Sequence, residues 1–417
     1  MRLQPFRKFQ RFTILCGLLV IGASLYWGRV AMLPTVAVPP VISETTYNPW
    51  IRVALTNSPV RSVELRCHGA VTISSANSSD VLQRADKISV SKVSSTPNGI
   101  QIGNLHVPAT RIEIAVDREP GIRVNNHLYR GKIHLYRMRD GRLRVVNVVR
   151  LEDYLASVVD SEMPREFGQE ARKAQCIAAR TYALYQQQQR NSHPYFDLYD
   201  STRSQMYLGV EYPGPQGQRW AGESKSSRRI VNETRGIVCI YNDTIFCTYF
   251  SAACGGKTIQ GTDLFADAAS PVSPVMCEWC GDAKLHRWER RVTTERFLKL
   301  FDSQKLILSE NALAVNDMAT SALEANPKDT ILIQQDDTTI ELQRHNIQQR
   351  LGAHVLPSPL FQVILQGTDV VFRGRGHGHG AGFCQWGARG QDKQGHDAQK
   401  ILQIYYPGSQ LVEMAKQ

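Results

Sequence analysis

Three places in the chain combine residue types and spacing that can carry chemistry. The first is Glu162, in Ser161-Glu162-Met163-Pro164, just after apolar Val158 and Val159. A lone carboxyl in such surroundings loses water. That disfavours its charged form and raises its pKa, as a general acid requires. On the following segment Lys173 and Arg180 are seven apart, on one helical face with Ile177 between them, and two cations there can hold an anionic or hydroxyl-rich substrate beside Glu162. A solvated basic face, with an acid that suits a helix N-terminus, explains the same spacing without catalysis.

The second place is Cys254, then Cys277-Glu278-Trp279-Cys280, then His286. A C-x2-C pair with a third cysteine upstream and a histidine downstream supplies four ligands, enough for a closed tetrahedral zinc site. With no position open for water, such a zinc braces the fold rather than catalysing. A disulfide or a redox C-x2-C pair is the competing reading, but it leaves the odd cysteine and His286 unexplained. Cys239 and Cys247 are candidates for pairing across a hairpin, while Cys67, Cys176 and Cys384 read as isolated small apolar residues.

The third place runs from Gly374 to Gly382 through His377 and His379, followed by Cys384-Gln385-Trp386-Gly387-Ala388. Its glycines permit close backbone approach, so the loop can line a cleft with exposed amides. Two histidines at i, i+2 can share a metal, but no third ligand is in sequence reach. A structural turn that packs Trp386 is the plainer account. The spacing fits neither a dinucleotide fingerprint nor a phosphate loop, so no organic cofactor is expected.

These groups must be positioned by an α+β fold: a β-rich N-terminal part plus a mixed α/β core around one cleft. Residues 50–147 show short alternating stretches such as Arg111-Ile112-Glu113-Ile114, with Asn98-Gly99 and Asp140-Gly141 as hairpin signals. From Leu151 the period becomes helical through Tyr154, Leu155, Val158 and Val159. A second helix is expected over Gln169 to Gln187, with Pro164 stopping the first. Residues 148–287 thus hold the helices and the Cys-rich part, 288–370 a mixed segment without chemical motifs, and 371–411 a glycine-rich loop and a C-terminal helix. Regular strand and helix alternation, the mark of a doubly wound sheet, is missing.

With 417 residues, 42% hydrophobic and 21% charged, the chain can bury a core without disulfide staples. Its formal net charge of +11 favours an anionic partner. Arg2, Arg7, Lys8 and Arg11 precede an uncharged run from Phe12 to Trp27, which suits a short membrane anchor or a signal peptide within residues 1–33. The positive flank keeps the N-terminus cytoplasmic and exports the rest of the chain, joined through a Pro-containing tether at 34–49. An uncleaved anchor is expected because the cleavage signal at Gly22-Ala23-Ser24 is weak. In the cell envelope, the positive charge fits the wall or the membrane surface rather than nucleic acid.

Several ordered segments resemble one family. They are Val146 to Leu155, Ser161-Glu162-Met163-Pro164, Glu170 to Ala183, Tyr249 to Thr258, the Gly-His-Gly loop with Gln385-Trp386-Gly387-Ala388, and Ile401 to Gly408. Together they look like the signature of the stage II sporulation protein D / LytB amidase-enhancer family. The resemblance implies a peptidoglycan lytic transglycosylase with Glu162 as its catalytic carboxyl, acting on glycan strands stripped of stem peptides. A non-catalytic, wall-binding enhancer of a partner amidase is the alternative within the family. Lys173 and Arg180 fall on the family's helix cations, and the matching segments add Ser251, His377, His379 and Gln385 as expected substrate contacts. The segment Asp200 to Gln205 holds neither the Cys nor the His that bind metal there in sporulation members. The set Cys254, Cys277, Cys280 and His286 resembles a cysteine-bearing subgroup instead.

Overall fold

Strands with period-two alternation build the N-terminal half. In the strand Trp50–Ala54, Ile51 and Val53 are fully buried while Arg52 turns to Asp197. In Arg111–Val116, Ile112 and Ile114 are likewise buried. The computed structural model describes residues 48–190, 193–302, 305–307, 325–335 and 338–414. The expected anchor at 12–27 and most of the tether lie outside them. Among the described residues no helix is long and apolar enough to cross a membrane.

Two large sheets carry these strands. A seven-stranded sheet runs in the order 198–199, 50–54, 143–150, 132–137, 111–116, 71–75, 81–85. An eight-stranded sheet runs 219–221, 211–213, 127–129, 122–124, 62–67, 88–96, 99–102, 105–107. Their inward rows share one core. The Asn98-Gly99 signal closes a hairpin in which Thr96 pairs with Gly99, and Asp140-Gly141 sits between the paired strands Lys132–Arg137 and Leu143–Arg150. Seven of the eight residues of Leu143–Arg150 are buried, so this strand is covered on both faces.

It runs without a loop into α1, Leu151–Glu162, whose Tyr154, Leu155, Val158 and Val159 join the same core. After Met163 and Pro164 the chain turns into α2, Gln169–Gln189, the expected second helix. Then come α3 at Lys225–Glu233, α4 at Thr294–Leu300, α5 at Arg344–Leu351, α6 at Gln385–Lys393 and α7 at Ala398–Tyr405.

One expectation about a segment is revised. The glycine-rich loop is shorter than its composition suggested. Residues up to Arg375 belong to the strand Asp369–Arg375, and from Gln385 the chain is helical because the Cys384 side chain caps α6 by accepting from the Gly387 N–H. Among its described residues, the 288–370 segment mixes strands with α4 and α5, and Trp288, Phe297 and Phe361 share a core with Phe372.

Candidate active site

Glu162 is the last residue of α1. Proline at 164 cannot continue the helix, and the residue before it is pushed to extended backbone, so Met163 takes φ −133° and ψ 118°. The helix therefore ends at the carboxyl. Gly168 then turns the chain into α2 at φ +91°, where a β-carbon would lie 1.8 Å from the Asp392 carboxylate of α6. That same carboxylate accepts the Ala171 N–H at 3.3 Å, an anion at the start of α2 where the helix dipole favours it. The two helices and α6 are thereby tied around Glu162.

The carboxyl itself is partly buried and has two donors. The Met206 backbone N–H donates to Oε1 at 2.7 Å, and the Gln385 side-chain amide donates to Oε2 at 3.2 Å. Gln385 Nε2 also donates to Gln175 Oε1 at 3.2 Å. Burial raises the Glu162 pKa above the ordinary carboxyl value, against the opposing pull of the two donors, and no charged neighbour contributes.

Met206 is delivered by a strap. Tyr154 Oη donates to Gln205 Oε1 at 2.9 Å, Gln205 Nε2 donates to the Ala179 carbonyl, and the Leu208 N–H donates to Ser157 Oγ. The segment is thus sewn to both α1 and α2. Neither Met206 nor Gln175 was found by sequence reasoning. A backbone amide has no sequence signal, but Gln175 had one: a polar amide among Ala171, Ala174, Cys176, Ile177, Ala178 and Ala179 must be satisfied if buried, and it is fully buried.

The two expected helix cations are placed elsewhere. Lys173 pairs with Glu170 at 2.9 Å and with Glu233 at 3.0 Å. Arg180 is fully buried and forks onto Glu152 at 2.9 and 2.8 Å, with a further bond to the Ile237 carbonyl. The stripe exists but faces α3 and the strand Ile237–Tyr241. At about 100° per residue, Gln175 lies roughly 200° from Lys173, so the face turned to Glu162 is the opposite one. Arg180 is a packing residue, not a substrate contact.

The remaining expected contacts lie around the strand pair Phe250–Ser251 and Phe383–Cys384, which are parallel with Ser251 opposite Cys384. Ser251 Oγ is buried without a hydrogen-bond partner, as is Gln175 Nε2. His377 pairs through its backbone with Ala253 and exposes its ring. His379 accepts the Ala381 N–H at Nδ1, packs edge-on against Phe265, and is pushed down to about 4 by burial. Among the described residues no group of three or more metal donors includes either histidine. Trp386 does pack, edge-on against Phe167 at 4.9 Å.

The cysteine set is corrected at one corner. Cys254, Cys277, Cys280 and Cys384 place their sulfurs within 4.8 Å of one another, all buried. His286 stands outside that group. Its Nδ1 lies 3.1 Å from the Cys280 carbonyl and 3.4 Å from Cys280 Sγ, beside the sulfur group rather than within it. Cys384 is therefore not an isolated apolar residue. Cys239 and Cys247, candidates for pairing, are separate buried thiols.

In the strap, Asp200 is pushed up to about 6 by burial. A carboxyl raised in the folded state contributes stability below its unfolded value near 3.8 and loses it as pH rises towards 6. Asp200→Asn is expected to gain about 1–2 kcal/mol at pH 7 and nothing below pH ~4, checked by urea unfolding at both pH values.

A partly buried carboxyl with a raised pKa, at a helix end inside an α+β fold, is the candidate site of this chain. The profile of the family described as Stage II sporulation protein matches residues 139–241, which include Glu162 and α2. An uncharacterized protein of Brachyspira hyodysenteriae is 31% identical over 310 residues, 72% of this chain and 76% of that one. Stage II sporulation protein D of Bacillus subtilis is 27% identical over 272 residues, 64% of this chain and 76% of its own. The amidase enhancer of the same organism is 23% identical over 299 residues, 62% of this chain but 40% of its own. The chain belongs to the stage II sporulation protein D / LytB amidase-enhancer family. With that family comes a cell-wall-related role at the cell envelope.

Proposed function

We propose that the protein is a peptidoglycan lytic transglycosylase that cleaves the bond between N-acetylmuramic acid and N-acetylglucosamine in denuded glycan strands. The observation that carries this reading is the Glu162 carboxyl, raised by burial and held by the Met206 amide and Gln385. Protonated Glu162 gives its proton to the glycosidic oxygen as the bond to the anomeric carbon breaks with oxocarbenium character. The carboxylate left behind is stabilised by the same two donors, which favour its charged form. It then takes the proton of the muramic acid 6-hydroxyl as that oxygen attacks its own anomeric carbon, closing a 1,6-anhydro ring. No water enters the products. The net charge of +11 suits an anionic wall polymer.

The test is incubation of purified protein with denuded glycan strands and mass analysis of the ends. Anhydro-muramoyl ends are expected. Their absence, or full activity in Glu162→Gln, overturns the reading. A second reading, a non-catalytic peptidoglycan-binding enhancer of a cell-wall amidase, is supported by the similarity to the Bacillus subtilis amidase enhancer. On that reading, stimulation of an amidase survives Glu162→Gln.

Gln385 gives a pH signature. Removing its amide takes away one donor to the charged carboxylate, so the Glu162 pKa rises further. Activity that needs the protonated acid is lost as pH rises through that value. In Gln385→Ala the alkaline limb of kcat/KM is therefore expected to move to higher pH, with kcat lower by about 10-fold or more, read from a rate profile.

A further inference from the structure

We propose that Cys254, Cys277, Cys280 and Cys384 bind one zinc ion as a closed four-thiolate site that fixes the start of α6, and with it Gln385, against Glu162. The geometry of the sulfurs carries the inference. A Zn–S bond of about 2.3 Å gives a regular tetrahedron with edges of about 3.8 Å. Cys254 Sγ and Cys280 Sγ are 3.8 Å apart, and all four sulfurs lie within 4.8 Å of one another. A disulfide draws two sulfurs to about 2.05 Å and leaves the other two without a role.

Several hydrogen-bond donors also reach the sulfurs. The Cys254 and Gly387 N–H groups each donate to Cys384 Sγ at 3.3 Å, and the Gly256 N–H donates to Cys280 Sγ at 3.2 Å. The Tyr405 hydroxyl lies 3.1 Å from Cys277 Sγ, and His286 Nδ1 lies 3.4 Å from Cys280 Sγ. Such donors orient ligating sulfurs and spread their charge, the outer-shell role. Four thiolates with one divalent cation keep a double negative charge. Arg375 donates to the Cys254 and Lys257 carbonyls and Arg287 to the Gly255 carbonyl, which brings two cations to the cluster. Space is reserved too: a β-carbon on Gly387 would stand 2.6 Å from Cys277 Sγ.

Binding expels the four thiol protons and ties three separate parts of the chain together. These are the Cys254 turn, the Cys277–Cys280 turn and the Cys384 cap of α6. Gln385 follows Cys384 directly, so the ion holds the residue that donates to Glu162. The four-sulfur site stands independently of the reaction proposed for Glu162, since its readouts involve no substrate.

The full chain, purified in detergent without a metal-affinity tag or added metal, is expected to carry about one zinc per chain by elemental analysis. Cobalt exchange is expected to give thiolate charge-transfer bands and tetrahedral d–d bands. His286→Ala should keep its zinc, whereas Cys384→Ser should hold about tenfold less. Should Cys384→Ser not fold, the native zinc content, the cobalt spectrum and His286→Ala still decide the matter. After chelation, hydrogen exchange over residues 384–393 is expected to speed by about tenfold or more. Zinc-free protein, iron in place of zinc, a disulfide among the four cysteines, or loss of zinc in His286→Ala would each overturn the site. Unchanged exchange after chelation would overturn its hold on α6.

Discussion

Turnover of denuded glycan strands is expected to fall by about 10³-fold in Glu162→Gln, close to 4 kcal/mol of lost transition-state stabilisation. The amide can accept the Met206 N–H as the carboxyl does, but it has no proton to give the glycosidic oxygen and cannot take one from the 6-hydroxyl. Both half-steps are lost together. The stability effect has the opposite sign. Burial raises the Glu162 pKa in the fold, so the carboxyl contributes its full stability below the unfolded value near 4.5 and loses it as pH rises through the folded value. A neutral amide has no charge to desolvate. Glu162→Gln is therefore expected to melt at or above the wild-type temperature at neutral pH while being nearly inactive. Anhydro ends are counted by mass spectrometry and melting is followed by calorimetry. A variant that lost activity by unfolding would melt lower, and a variant with wild-type turnover would remove Glu162 from the chemistry.

The second large effect concerns Arg180 and is one of stability. Its guanidinium makes two bonds to the Glu152 carboxylate, one to the Ile237 carbonyl at 3.1 Å, and contacts Thr234 and Cys176 at 3.5 and 3.6 Å. Arg180→Ala leaves the Glu152 carboxylate, itself 7% exposed, without its cation. Breaking a buried pair from one side costs about 3–5 kcal/mol, enough to threaten folding at 37 °C. Lysine cannot reproduce the fork, so Arg180→Lys is expected to recover only part of the loss. The double variant Glu152→Leu with Arg180→Met removes both charges and is expected to regain most of it. Urea unfolding reads all three. Below its melting temperature the Ala variant should keep the wild-type KM for glycan. A raised KM with unchanged stability would instead return Arg180 to the substrate.

These two residues show what was legible and what was not. Glu162 was visible because its signal is local: apolar neighbours before it and a proline two positions on. The helices on either side follow from a 3.6-residue period that one turn of chain reveals, and the hairpins from turn chemistry two residues long. Lys173 and Arg180 were correctly placed on one face, since that too is local, yet the face was turned the wrong way. Which side of an Ala-rich helix meets the catalytic carboxyl depends on what packs on each side, and here α3 and the strand Ile237–Tyr241 took the cationic one. His286 and Cys384 repeat the lesson. Sequence spacing favoured the nearer donor, whereas the fourth sulfur comes from across the parallel pair of Ser251 and Cys384.

By itself the sequence determined the α+β class, the order of the family motifs, the break at Pro164 that leaves a carboxyl at the end of α1, and the glycines that let the chain pass close to itself. Those are short-range facts of backbone sterics and hydrophobic period. The tertiary structure alone decided that Met206 and Gln385 converge on that carboxyl, with Gln175 bonded to Gln385, that Arg180 is buried against Glu152, and that Cys384 completes the sulfur cluster. Each of these joins residues far apart in the chain. Such contacts are selected by the packing of whole helices and sheets, whose free energy no local window contains.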